Sequence, residues 1–263
     1  MKEYLKTSNV YVILGYLVGL VLSSLLGMLI VCNIASALYD IPSKEAINLL
    51  SVKTLEGLSQ NKIDAYYFMQ SWNNLLSYFV IAIIVIFFGR GYLYEDVLDL
   101  KKNKMKNFLY VGYAILGCAL LYDFSVLFSY LAGLLSDTNS SANQTSFELM
   151  IENGYGAIVF FSVVFLAPIC EELVYRKAIF KFFKNKKQWY LPLIISSLVF
   201  ALPHMITTKE GFLVWVILFI SYYVSGLILG LVYHFSNDNI YISVLCHMLN
   251  NLLAFLLIIW RLA

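Results

Sequence analysis

Seven stretches of this sequence are apolar enough, over enough residues, to cross a lipid bilayer, and that feature makes a bundle of membrane helices the fold to expect. A span needs about 20 apolar residues to cover ~30 Å of hydrocarbon. Its backbone N–H and C=O groups must also pair within the segment, as an α-helix allows. The runs fall at roughly 10–38, 70–88, 107–135, 155–175, 189–206, 212–234 and 239–260. The fifth is the weakest, because Pro203 lies near its end and His204 follows. Residues 43–58 offer either an eighth crossing or an interfacial helix. Ser43 can cap a helix there, with Ile47, Leu50, Thr54, Leu55 and Leu58 on one side, while Lys44, Glu45, Lys53 and Glu56 favour the interface. The expected fold class is all-α: a polytopic transmembrane helical bundle of about seven spans.

Composition narrows the function classes. With 61% hydrophobic and 13% charged residues and a mean hydropathy of +0.78, the chain lies outside the range of soluble globular domains. A net charge of +2 gives no reason to expect a nucleic-acid partner; the partner that composition implies is the lipid bilayer. The four cysteines, Cys32, Cys118, Cys170 and Cys246, sit inside apolar runs without CxxC spacing, so they read as small packing residues. The first apolar run follows Lys2 and Lys6 and is too long for a cleavable signal, hence a retained helix.

Loop charge sets the expected orientation. With a cytoplasmic N-terminus, 13 of the 18 Lys and Arg residues fall on inner segments: Lys2, Lys6, Arg90, Lys101, Lys102, Lys104, Lys106, Arg176, Lys177, Lys181, Lys184, Lys186 and Lys187. Lys44, Lys53, Lys62, Lys209 and Arg261 remain outside, which agrees with the positive-inside rule. The expectation is a multi-pass protein integral to the cell membrane. The polar segment 136–153, with Asp137, Asn139, Ser140, Ser141 and Asn143, reads as a flexible outer connector. It divides an N-terminal transmembrane region, 1–150, from a C-terminal region, 151–263.

Ionisable groups near a helix centre cost about 2.5 to 3.5 kcal/mol each on insertion scales, so their placement is informative. The first three runs hold one, Asp123, which reads more readily as a structural polar contact than as part of a site. The last four hold Glu171, Glu172, Arg176, His204 and His247, with Asn251 beside them. Glu172 and Arg176, Phe200 and His204, and His247 and Asn251 are each four residues apart, so each pair shares one helix face. By the 1.5 Å rise, Glu171 lies ~21 Å from a turn near Asn185, and His247 and Asn251 lie ~15 and ~21 Å from a turn near Asn237. His204, at ~28 Å before loop residues are subtracted, can reach the same layer. Separately, these groups also suit blander roles: a charged helix end for Glu171 to Arg176, the end of a Pro-broken helix for His204, and interhelical hydrogen bonding for His247 and Asn251. His234 lies outside the cluster and reads as interfacial. Pro168 and Pro203 each remove a helix hydrogen bond just before a polar residue, and Gly226 with Gly230 forms a GxxxG for close helix packing.

The segments Glu171-Glu172-Leu-Val-Tyr-Arg176, Phe200-Ala-Leu-Pro-His204 and His247-Met-Leu-Asn-Asn251 resemble the EExxxR, FxxxH and HxxxN motifs of the CPBP family of intramembrane proteases, the CAAX proteases and bacteriocin-processing enzymes also called Abi proteins. The resemblance covers about residues 155–260. It implies a four-helix catalytic core around a cavity and an intramembrane endopeptidase activity on a peptide or membrane-protein substrate. It further implies that Glu171 and His204 activate a water, that Glu172 and Arg176 hold the helix in place, and that His247 and Asn251 donate to the oxyanion. The resemblance to glutamate-dependent type II CAAX endopeptidases points to no cofactor; zinc held by two His and a Glu is the alternative. A non-catalytic immunity or regulatory protein of the same fold is the rival function, and a proton-coupled carrier a further one.

Overall fold

The computed structural model describes residues 2–52, 54–102, 104–136, 141–184, 188–206, 208 and 210–262, with side chains from residue 9 onward. Several residues used above for loop charge and polarity lie outside the described residues: Lys53, Asp137, Asn139, Ser140, Lys186, Lys187 and Lys209, together with the turn at Asn185 and the side chains of Lys2 and Lys6. Every regular element described is a helix. The order is α1 (Asn9–Tyr39), the short α2 (Ser43–Leu49), α3 (Gln60–Lys102), α4 (Lys104–Gly133), α5 (Ala142–Phe183), α6 (Tyr190–His204), α7 (Phe212–Phe235) and α8 (Ile240–Leu262). Among the described residues six of these, all but α2 and α6, are long and apolar enough to cross a membrane. The all-α polytopic bundle is therefore as expected.

The helices depart from the hydropathy runs where polar residues find partners. α3 has 43 residues, ~65 Å by the helix rise, and continues through Arg90, Glu95, Asp96 and Asp99, where the apolar run stops. α6 has only 15 residues, ~22 Å, with Pro203 in its last turn, which accounts for its weak hydropathy signal. The segment 136–153, expected as a flexible connector, is corrected from residue 141 onward. Ser141 Oγ accepts from Gln144 N at 3.2 Å and caps a helix over Ala142–Met150. That helix meets the rest of α5 at a kink where Gly154 takes φ +89°, a conformation glycine adopts without steric cost. Among the described residues, 43–58 form no helix long enough to cross a membrane, and the helix found there is short. α2 is seven residues long, starts without a side-chain cap, and buries Ala46 and Leu49 against Cys32, Ala35 and Met69. Ser43 instead meets Ser36 Oγ at 3.2 Å.

One end of the bundle gathers the starts of α1, α4, α6 and α8 with the ends of α3, α5 and α7, and it carries Lys177, Lys181 and Lys184. Lys177, read above as an inner-face charge, is in fact buried. Its Nζ lies 2.8 Å from Asp96 Oδ2 and donates to Asp238 O at 2.7 Å. Asp96 Oδ2 also accepts from Ile240 N at 2.7 Å, so one carboxylate on α3 caps α8 and neutralises a cation on α5. Lys184 reaches Asp238 as well. His234 stacks on Trp189, centroids 5.1 Å apart, near this end and outside the polar cluster.

The packing of α7 on α6 uses the glycines singled out in the sequence. A Cβ at Gly226 would lie 2.9 Å from Ser197 Cα, and one at Gly230 2.5 Å from Leu193 Cδ1. Gly117 brings α4 equally close to Val232 of α7 and Cys246 of α8. The main apolar core runs through these contacts, with Val12, Ile81, Leu173, Phe200, Leu229 and Ile240 among its members. The four cysteines are free thiols, with Cys170 Sγ 3.6 Å from Tyr78 O as its donor contact.

Candidate active site

Three helices deliver the polar cluster to one layer. Glu171 and Glu172 lie on α5 between two widened, π-type stretches, Phe160–Leu166 and Leu173–Phe180, a distortion that often accompanies functional positions. His204 ends α6, and His247 and Asn251 are one turn apart on α8. Glu171, His204, His247 and Asn251 all line a cavity of about 620 Å³. Glu172 and Arg176 lie behind it, wholly buried.

The two glutamates are held differently. Glu172 Oε1 accepts from His247 Nδ1 at 3.0 Å, while Oε2 lies 3.2 Å from Arg176 Nε. Both charges are thus compensated inside the bundle, as a buried ion pair requires. The Arg176 guanidinium also stands 4.9 Å above the Phe200 ring and reaches Ser196 Oγ at 3.5 Å. Ser196 in turn donates to Tyr175 O at 2.8 Å. Glu171 faces the cavity: Oε1 accepts from the Tyr78 hydroxyl at 3.1 Å, and Oε2 lies 3.9 Å from His247 Nε2. His247 therefore stands between the two carboxylates.

His204 is fixed by its backbone and by stacking. Its Nδ1 lies 2.9 Å from Phe200 O. A carbonyl can only accept, so Nδ1 carries hydrogen and Nε2 holds the lone pair in the neutral ring. The ring stacks on Tyr222, centroids 4.4 Å apart, and Tyr222 shares a 2.7 Å hydrogen bond with Ser141 Oγ. Phe200 fills the space between the histidines, 4.8 Å from His204 and 6.1 Å from His247 by ring centroids. Among the described residues no ion pair or hydrogen bond joins Glu171 directly to His204.

All six polar residues expected to assemble do converge, and the structure adds commitments that spacing could not reveal. One N–H of Asn251 is spent on Val163 O at 2.9 Å, tying α8 to α5, and its Oδ1 accepts from Asn250 at 3.3 Å. Tyr78 and Tyr222, which touch Glu171 and His204, belong to no motif; in a chain with 20 tyrosines, nothing in the sequence marks them. Asp123, read as a structural contact, is exposed on α4 and makes no hydrogen bond or ion pair among the described residues. No group of three or more His, Cys, Asp or Glu side chains among the described residues is placed to hold a metal ion. The donor set does not fit the zinc alternative as it stands.

An acid and histidine cluster on a cavity, within a bundle of membrane-length helices, defines a polytopic membrane protein with an intramembrane polar centre. Residues 153–253 match the family model described as type II CAAX prenyl endopeptidase Rce1-like, and the match contains all three motifs. The resemblance to the CPBP and CAAX protease family is borne out over that region. Two curated relatives are each 29% identical to the chain. An uncharacterized protein of Mycoplasma capricolum aligns over 202 residues, covering 71% of this chain and 55% of that one. The UPF0177 protein YaiH of Lactococcus lactis aligns over 151 residues, 57% and 56% respectively. The chain thus spans little more than half the length of these relatives. No solved structure matches it.

Proposed function

We propose that this chain is an intramembrane endopeptidase of the CAAX type, in which Glu171 and His204 activate a water for attack on a peptide carbonyl. The observation that carries the reading is the meeting of Glu171, His204, His247 and Asn251 on one cavity, with Glu172 and Arg176 neutralised behind them. Tyr78 occupies Oε1 of Glu171, which leaves Oε2 as the base. His204 Nε2 accepts the second hydrogen of the water and orients its lone pair toward the carbonyl. Glu171 takes the attacking water's proton and passes it to the leaving amine, a role worth about 10² to 10⁴ in rate. His247, held through Nδ1 by Glu172, and the second N–H of Asn251 serve the tetrahedral oxyanion. The end of the bundle that carries Lys177, Lys181 and Lys184 is the cytoplasmic one, in the cell membrane. The reading routes no step through a metal. A non-catalytic role of the same fold would leave the cavity-facing Glu171 without a use.

The test is turnover by the purified full chain in detergent or proteoliposomes on a panel of prenylated and unprenylated peptides. Wild type should hydrolyse some of them, Glu171→Gln and His204→Ala should lose at least about 10² in kcat, and chelators should leave wild type unchanged. Equal turnover by all three proteins sinks the proposal; chelator loss reversed by zinc sinks the metal-free part.

A further inference from the structure

The cavity does not stop at the polar cluster. It runs along α8 from His247 to Arg261, 14 residues apart and ~21 Å by the helix rise. At its far rim Arg261 Nη2 meets Glu148 Oε2 at 3.0 Å, joining α8 to the first helical segment of α5. Its lining also carries hydroxyls from two adjacent helices, Ser125 and Ser129 of α4 and Ser221 of α7. Serines inside helices usually return their hydroxyl to the carbonyl one turn back, as Ser225 does here to Ser221 O at 2.9 Å. The hydroxyls of Ser125, Ser129 and Ser221 make no such bond among the described residues. They line the cavity uncommitted, Ser125 exposed and Ser129 and Ser221 half-buried, and are free to meet a ligand there.

We infer that this part of the cavity is a binding subsite for an extended, unlipidated polypeptide with an acidic group at the rim, so that Arg261 is a specificity-determining residue of the activity proposed above. An extended chain rises about 3.3 Å per residue, so ~21 Å holds about six residues between the scissile bond and the rim. Its backbone presents an N–H or C=O at every step for the uncommitted hydroxyls, a complementarity that an acyl or prenyl chain lacks. The sign of the rim follows from its partners. Both oxygens of Glu148 are engaged, Oε1 by Gln144 at 3.1 Å and Oε2 by Arg261. The half-exposed Arg261 retains further N–H groups and offers them in the fork that matches a carboxylate.

The inference rests on the peptidase reading, and the experiment separates the two. Give the full chain in proteoliposomes a library of unprenylated peptides with Asp, Asn or Lys at each position three to nine residues from the cleaved bond, on either side, beside prenylated counterparts. Unprenylated peptides should be cleaved, with Asp preferred over Lys by about fivefold at one position about six residues away, the size expected of a partly exposed ion pair. Arg261→Glu should reverse that preference at the same position, and Ser129→Val with Ser221→Val should raise KM more than they lower kcat. Strict dependence on prenylation, or a charge profile unmoved by Arg261→Glu, overturns the subsite while leaving the peptidase intact. Failure to cleave any peptide in either series overturns both.

Discussion

Arg176→Met should unfold the bundle more readily than any other single change at the site. The guanidinium is wholly buried, 3.2 Å from Glu172 and 4.9 Å from the Phe200 ring. Its removal leaves the Glu172 carboxylate in the same dry position with His247 Nδ1 and the Ser243 hydroxyl as partners and no guanidinium beside it. Truncating one member of a buried ion pair costs about 3 to 5 kcal/mol, because the other charge stays uncompensated. The 3.5 Å contact to Ser196 adds little at that length. Glu172→Gln in the same background takes away the stranded charge while keeping an oxygen that accepts from His247. The double variant should therefore be more stable than Arg176→Met alone, with a coupling of roughly 2 kcal/mol, within the range for residues in one network. Unfolding of the four proteins in mixed detergent micelles, followed by circular dichroism, completes the cycle. Additivity within about 0.5 kcal/mol refutes the claim that these charges hold each other in place.

Asn251→Ala should cost about 1 kcal/mol through the lost bond to Val163 O and lower kcat about 10²-fold if the amide also serves the oxyanion; unchanged kcat removes it from the reaction. Gly226→Ala drives a Cβ to 2.9 Å from the Ser197 backbone and should destabilise by about 1 to 3 kcal/mol. Gly112→Ala, with nothing within 4 Å, should stabilise by about 0.5 to 1 kcal/mol, and micelle unfolding distinguishes the two. Asp96→Ala uncaps α8 and strands Lys177, so amides at the start of α8 should exchange with deuterium faster than those of its middle; uniform protection along α8 contradicts the clasp.

The polar cluster was legible because its members repeat at helical spacing on three separate apolar runs, and lipid penalises such groups unless they face one another. Glu172 and Arg176, and His247 and Asn251, could be paired from a count of four residues. What a count cannot give is which atom meets which. Asn251 lies on the expected face, yet one of its N–H groups goes to a backbone carbonyl whose position depends on the π-type widening of α5 over Phe160–Leu166. Helix lengths failed for a related reason. Hydropathy ended the third helix near residue 88, but Asp96 continues it in burial because Lys177 and the α8 N-terminus, 81 and 144 residues away in sequence, satisfy its carboxylate. A window that averages neighbours along the chain is blind to partners that far off. The polarity of residues 142–150 likewise points to a loop, although Ser141 caps the helix that they form.

The contribution of α3 follows from the same long-range pairing. It lies wholly outside residues 153–253, the part that matches the endopeptidase family, yet it supplies the hydroxyl on Glu171 and the carboxylate under Lys177. Cys170, the residue before Glu171, also meets Tyr78 O, so the register of α3 against α5 is set at the site itself. A polypeptide of residues 151–263 alone would keep all three motifs but leave Glu171 Oε1 without its phenol and Lys177 without the Asp96 carboxylate. The motifs mark where the chemistry sits; the geometry that orients Glu171 is completed by a helix that carries none of them.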